Sequence, residues 1–217
     1  MREIADGVWH IPLMFKDAVN AYLLGDVLVD AGTKGMGKKL PGRLEGRTVS
    51  AHTLTHAHPD HVGGSKPVVD ALGVPFWAPK GDAPAVERGM TVAPEGRMKK
   101  VLEAGGRFGS VPIARTLSEG DEIGDGFTVL DTPGHSPGHI SFWRERDRVL
   151  ICGDVWFNMN VITLKPGLRA PLTLPTVDPA ENARSQQKLV ELEPDIVGFG
   201  HGPVMTGAAA KLRAFPA

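Results

Sequence analysis

The chain has 217 residues, with 24 Lys and Arg against 25 Asp and Glu and a formal net charge of −1. That balance argues against a strongly basic nucleic-acid binder. Hydrophobic residues at 41% and charged residues at 23% exclude wholesale disorder, and the single Cys152 excludes an internal disulfide.

Elements follow in chain order. Val8 to Pro12, Asn20 to Gly25 and Val27 to Asp30 read as a meander of short strands, with Gly25-Asp26 as a turn. Thr33 to Leu44 reads as a helix weakened by Gly35, Gly37 and Pro41, and Thr48 to Thr55 as the next strand. From His61 to Leu72 the apolar positions Val62, Val68, Val69 and Leu72 suit a helix stopped by Gly73, and Pro75 to Ala78 reads as a strand. Pro94 to Ala104 places Met98, Val101 and Leu102 at helical spacing and ends at Gly105-Gly106. Arg97, Lys99, Lys100 and Arg107 read as its solvated face.

The second half returns to strands over Ile113 to Leu117, Phe127 to Asp131, Ile140 to Arg144 and Arg148 to Cys152. Residues 155 to 178 show no periodicity, a length that is functional when it is a loop. Asp178-Pro179 starts a capped helix to about Glu193, followed by a strand at Ile196 to Phe199 and a helix near Ala208 to Phe215. No linker interrupts residues 1–217, which are expected to form a single domain. An acidic N-terminus and the lack of an apolar run of ~18 residues predict a cytoplasmic protein with no membrane partner.

Six of the eight histidines fall into three tight groups: His56, His58 and His61; His135 and His139; and His201. In extended chain His56 and His58 project the same way and can share one cation. Pro59 breaks that path, so Asp60 and His61 leave at another angle and suit a second cation. His135, Asp154 and His201 each follow a predicted strand through a Gly-containing turn, where side chains converge on one rim of a sheet. Two metals are therefore predicted. His10 and His52 lie in strands away from these groups and read as structural. Cys152 reads as core.

The run His56-Ala57-His58-Pro59-Asp60-His61, with Thr132-Pro133-Gly134-His135, Gly153-Asp154 and Gly200-His201-Gly202, resembles the motif series of the metallo-β-lactamase superfamily. Val29-Asp30-Ala31-Gly32 resembles its first motif. The resemblance implies an α/β fold, an αββα sandwich of two mixed β-sheets flanked by helices. It assigns His56, His58 and His135 to one metal and Asp60, His61 and His201 to the other, with Asp154 bridging. His139 would stand behind the ligands, hydrogen-bonded to a ligand carboxylate, and Asp30 would organise the nearby turn.

Departures narrow the branch. Asp154 stands where a true β-lactamase has Cys or Ser, and His58 where flavodiiron proteins have Glu. Asp154-Val155-Trp156-Phe157 lacks the Tyr that lactonases place after the bridging Asp. The chain ends 16 residues after His201, which leaves room only for a single-domain thioesterase of the glyoxalase II kind. Such a member is expected to hold two divalent ions, zinc first, with iron or manganese as alternatives. A bridging hydroxide would cleave an ester, thioester or lactone of a small molecule, with Asp60 orienting it. Alternatives are a mononuclear iron enzyme like persulfide dioxygenases and a phosphodiesterase like ribonuclease Z. A homodimer is compatible with the sequence. Trp156, Phe157 and Met159 follow Asp154 closely enough to line a substrate pocket, and equally could enter the core.

Overall fold

The computed structural model describes residues 1–97 and 99–216. Strands Arg2–Ala5 (β1), Val8–Pro12 (β2), Asn20–Leu24 (β3), Val27–Val29 (β4) and Ala51–Thr53 (β5) form one sheet in that order. The first pairings are antiparallel, and β5 joins β4 in parallel. A parallel pair needs a crossover. This one carries Lys34–Gly37 (α1) and Leu40–Arg43 (α2), two helical turns where the sequence predicts one helix. Pro41 sits in the first turn of α2, and its missing N–H cannot extend a preceding helix.

The predicted helix from His61 is likewise divided, into Pro59–Val62 (α3) and Ser65–Leu72 (α4). Gly63-Gly64 explains the break, because a Cβ at Gly64 would lie 2.2 Å from the Ala31 carbonyl oxygen. The pair lets this segment press against the turn after β4, and the Gly64 amide donates to the Gly32 carbonyl at 2.7 Å. The strand before them is shorter than predicted. Beyond Thr53 the Thr55 amide bonds the Asp30 side chain, and the backbone leaves the ladder.

Trp77–Pro79 (β6), Ala83–Arg88 (α5), Lys99–Gly105 (α6) and Arg115–Leu117 (β7) follow. The strand β7 pairs β6 in parallel, and a bridge from His52 to Phe76 ties β6 to β5. Met98, counted at sequence level as part of the α6 pattern, lies outside the described residues.

Glu122–Ile123 (β8), Phe127–Asp131 (β9), Ile140–Arg144 (β10) and Val149–Ile151 (β11) build most of a second sheet. Phe157–Met159 (β12) and Pro166–Arg169 (β13) make a separate hairpin inside the stretch predicted as loop. Helix Pro179–Glu191 (α7) is capped by Asp178, whose carboxylate accepts the Glu181 amide at 2.9 Å. Ile196–Gly198 (β14), Met205–Thr206 (β15) and Ala208–Arg213 (α8) complete the chain, and the second sheet runs β15-β14-β11-β10-β9-β8.

Side-chain alternation along each strand decides the layers. Tyr22 and Leu24 face inward and meet Phe127, Val129, Phe142 and Ile151 between the sheets. Leu23 and Leu28 face outward under Leu40 of α2 and Val68 of α4. Leu150 and Val197 pack beneath Leu189 of α7 and Leu212 of α8. The result is the αββα sandwich that the motifs imply. No helix of the described residues is long and apolar enough to cross a membrane.

Candidate metal centre

The strands β9, β11 and β14 run in one direction, since β9 and β11 are both antiparallel to β10 and β14 is parallel to β11. Their C-terminal ends share a rim, and His135, Asp154 and His201 lie just beyond those ends. From the other sheet β5 delivers His56 and His58, and α3 starts with Pro59, Asp60 and His61. All seven side chains meet.

The Asp154 Oδ2 atom is the centre of the cluster. It lies 3.3 Å from His135 Nε2, 3.8 Å from His56 Nε2, 3.5 Å from His61 Nε2 and 3.3 Å from His201 Nε2. On one side His58 Nδ1 stands 3.0 Å from both His56 Nε2 and His135 Nε2. On the other, His201 Nε2 stands 3.3 Å from Asp60 Oδ2. Donors around a tetrahedral zinc with bonds of ~2.0 to 2.1 Å are about 3.3 Å apart, so these spacings match cation coordination. Three groups of donors able to hold an ion overlap here: His56, His58 and His135; His56, His61 and Asp154; Asp60, His61 and His201.

Hydrogen bonds behind the cluster set the imidazole tautomers. Asp30, held at φ +60, takes the Thr55 amide on Oδ1 and the His61 Nδ1–H on Oδ2. The Thr55 hydroxyl donates to Asp30 Oδ2 at 2.9 Å, leaving its oxygen to accept the His56 Nδ1–H at 3.0 Å. The Thr176 hydroxyl donates to the Leu172 carbonyl and accepts the His135 Nδ1–H. His201 Nδ1–H donates to the Ala18 carbonyl at 2.6 Å. In these four histidines Nε2 is the atom left facing the cluster.

Charge points the same way. Burial, with His135 close by, pushes His58 down to about 3, and burial holds His56 low as well. Burial also acts against charge on His201, but the Asp154 and Asp60 carboxylates outweigh it and lift that imidazole to about 10. Burial opposes ionisation of Asp154 too, and His201, His61 and His135 overcome it and hold its carboxyl well below the usual range. The carboxylates thus draw positive charge into a buried place. Yet His61 Nε2 and Asp154 Oδ1 are buried without any hydrogen-bond partner. An unmet polar atom costs about 1–3 kcal/mol, and divalent cations would satisfy these and neutralise the carboxylates together.

The remaining expectations divide. Phe157 lines the cavity over the cluster and packs edge-on to His201, with ring centroids 4.6 Å apart. Trp156 and Met159 do not line that cavity. Trp156, the neighbour of Phe157, points the opposite way and is fully buried in the core under α7 and α8, and Met159 is fully buried in β12, whose pairing with β13 shifts register between Phe157 and Met159. His139 stands behind the cluster, where its Nε2 accepts the Asp154 backbone amide at 3.1 Å instead of meeting a carboxylate. His10 and His52 are structural as expected. His10 bonds Asn20, whose amide group donates to the Phe199 and Gly202 carbonyls flanking His201.

One supporting residue escaped the sequence reading. Fully buried Asp82, between β6 and α5, accepts the Ala57 amide, the Ser136 hydroxyl and the Gly138 amide at 2.7 to 2.8 Å. It joins the His56–His58 segment to the His135 turn. Only the tight turn Pro79-Lys80-Gly81 before it hinted at a special backbone there.

The family model of the metallo-beta-lactamase superfamily matches residues 15–201. A probable metallo-hydrolase of Bacillus subtilis, YflN, is 31% identical over 202 residues, covering 83% of this chain and 76% of that protein. A hydroxyacylglutathione hydrolase of Bdellovibrio bacteriovorus is 31% identical over 116 residues, 52% of this chain but only 36% of that enzyme. Among solved structures, TTHA1623 in a di-iron-bound form superposes with a TM-score of 0.69 at 31% identity, covering 94% of this chain and 96% of that one. The BLEG-1 B3 metallo-beta-lactamase gives a TM-score of 0.69 at 29% identity, covering 93% and 95%. Fold, donor set and these likenesses define a metal-binding hydrolase. The chain belongs to the metallo-β-lactamase superfamily.

Proposed function

We propose that the protein is a dinuclear metallo-hydrolase acting on an ester, thioester or lactone of a small molecule. The observation that carries this reading is Asp154 Oδ2, near-equidistant between His56 and His135 on one side and His61 and His201 on the other. His56, His58 and His135 would hold one ion, Asp60, His61 and His201 the second, and Asp154 would bridge them. Zinc suits this nitrogen and oxygen set, and the di-iron relative makes iron the next candidate. Two divalent ions there supply a water of lowered pKa and a Lewis acid for a carbonyl oxygen.

The protein's own side chains shape the rest. Asp60, beside His201 and partly open to the cavity, accepts a proton-bearing group at the cluster's mouth and orients it. Asp30 and Thr55 keep His61 and His56 from rotating, and Phe157 shields His201 from bulk water. Cys152 is no nucleophile, since burial pushes its thiol far up. A net charge of −1 and a cavity lined by no Lys or Arg among the described residues favour small-molecule cleavage over nucleic acid. The test is a panel of esters, thioesters, lactones, bis(p-nitrophenyl) phosphate and glutathione persulfide with zinc-, manganese- and iron-loaded protein. Metal-dependent hydrolysis of a carboxylic ester or thioester is expected. Oxygen uptake on the persulfide with one iron per chain, and no hydrolysis, would overturn the reading.

A further inference from the structure

The cluster opens into a cavity of about 410 Å³, within the range of small-molecule sites. Its floor is polar, made by His58, Asp60, His135, Asp154 and His201. Its walls are not. Val92, Val101 and Leu102 come from the stretch between α5 and β7, and Phe157, Val161 and Leu172 from the stretch after Asp154. Val101 is 59% exposed and Leu172 44% exposed, so both present apolar surface to water around one mouth. Scattered exposed apolar residues are ordinary, but these converge on one opening.

Polar groups on that wall are already engaged. The Thr91 hydroxyl lies within bonding distance of the Ala57 and Val92 carbonyls, 3.2 Å from each. No Lys or Arg lines the cavity among the described residues. Lys99, adjacent in sequence to the α6 wall, is paired with Glu95. Glutathione carries two carboxylates, and carboxylates are recognised by Arg or Lys donors. The walls offer none.

We infer that the acyl group taken by this site is an uncharged aliphatic chain of several carbons lying against Val101, Leu102 and Phe157, and that glutathione thioesters are poor substrates. The inference rests on the hydrolase reading above and names its substrate class. In the reaction water adds its oxygen to the acyl carbon and the bond to the leaving oxygen or sulfur breaks. A carboxylate, an alcohol or thiol, and one proton result. Burying one further methylene against such a wall raises kcat/KM about fourfold.

The experiment measures kcat/KM of metal-loaded protein on p-nitrophenyl acetate, butyrate and hexanoate and on S-lactoylglutathione. Inhibition by hexanoate and by glutathione is measured alongside. Expected are a rise of about fourfold per methylene, S-lactoylglutathione at least a hundredfold behind hexanoate, and inhibition by hexanoate alone. Val101→Asp, at an exposed position, and Leu102→Ala should each flatten the rise to below twofold per methylene. A flat acyl series in the wild type, or a preference for S-lactoylglutathione, overturns the substrate class and leaves the hydrolase standing. A steep series unchanged in both variants overturns the assigned wall. No turnover of any of these esters or the thioester overturns this inference, and no turnover of the lactones of the panel above in the same preparations overturns the hydrolase reading as well.

Discussion

The Asp82 carboxylate accepts the Ala57 amide at 2.8 Å, across 25 residues of chain. Because the same carboxylate also takes Ser136 and Gly138, one buried side chain sets the spacing between His58 and His135. Asp82→Ala strands buried donors, each worth about 1–3 kcal/mol. The expected result is a loss of roughly 3 kcal/mol in denaturant unfolding and a 10- to 100-fold weaker metal affinity. Asp82→Asn, which still accepts through one oxygen, should recover part of both. Wild-type metal affinity in Asp82→Ala would show that the carboxylate does not position these loops.

Asp154 faces both halves of the cluster, so its loss should not spare either. Asp154→Ala is expected to hold less than one ion per chain and to lose at least a thousandfold in kcat/KM. A titration curve identical to wild type would refute the bridge.

His139 acts through the Asp154 backbone, and its effect should be graded. His139→Ala frees one buried amide, costing about 1–3 kcal/mol, and should weaken metal binding roughly tenfold. His58→Ala removes a facing nitrogen and should abolish activity while leaving the fold intact. Equal losses in the two variants would contradict the separate roles assigned to them.

His52 gives a pH signature away from the metal cluster. Burial, against a hydrogen bond to the Leu28 carbonyl, lowers it to about 4, below the 6.5 of an unfolded imidazole. Between those values the unfolded chain binds the proton and the folded chain does not. Its stabilising contribution is therefore complete above pH 6.5 and is lost as pH falls toward 4. From pH 7 to pH 5 the wild type should lose about 2 kcal/mol more than His52→Gln. Urea unfolding at both pH values checks this, and parallel losses would count against the neutral buried imidazole.

The metal cluster was legible because seven metal-competent residues announce themselves by spacing and by their place after strands. The layers were legible only through the resemblance that the metal motifs carry, since Asn20–Leu24 is buried on both faces and shows no alternation. Asp82 was not, because a lone carboxylate in a turn carries no periodic signal and its partners lie in distant loops. For Trp156 and Met159 the sequence left pocket and core equally open, and both are buried. Their facing depends on where β12 starts, and Pro166 and Gly167 hide its hairpin partner β13 from any alternation count. The helices broken at Pro41 and at Gly63-Gly64 show local packing overriding apolar spacing.

The most direct measurement is elemental analysis of purified protein equilibrated with excess zinc and then freed of unbound ions. Two ions per chain, falling together in Asp154→Ala, are predicted. A wild type that saturates at one ion or none, with all seven side chains intact, would contradict the dinuclear centre.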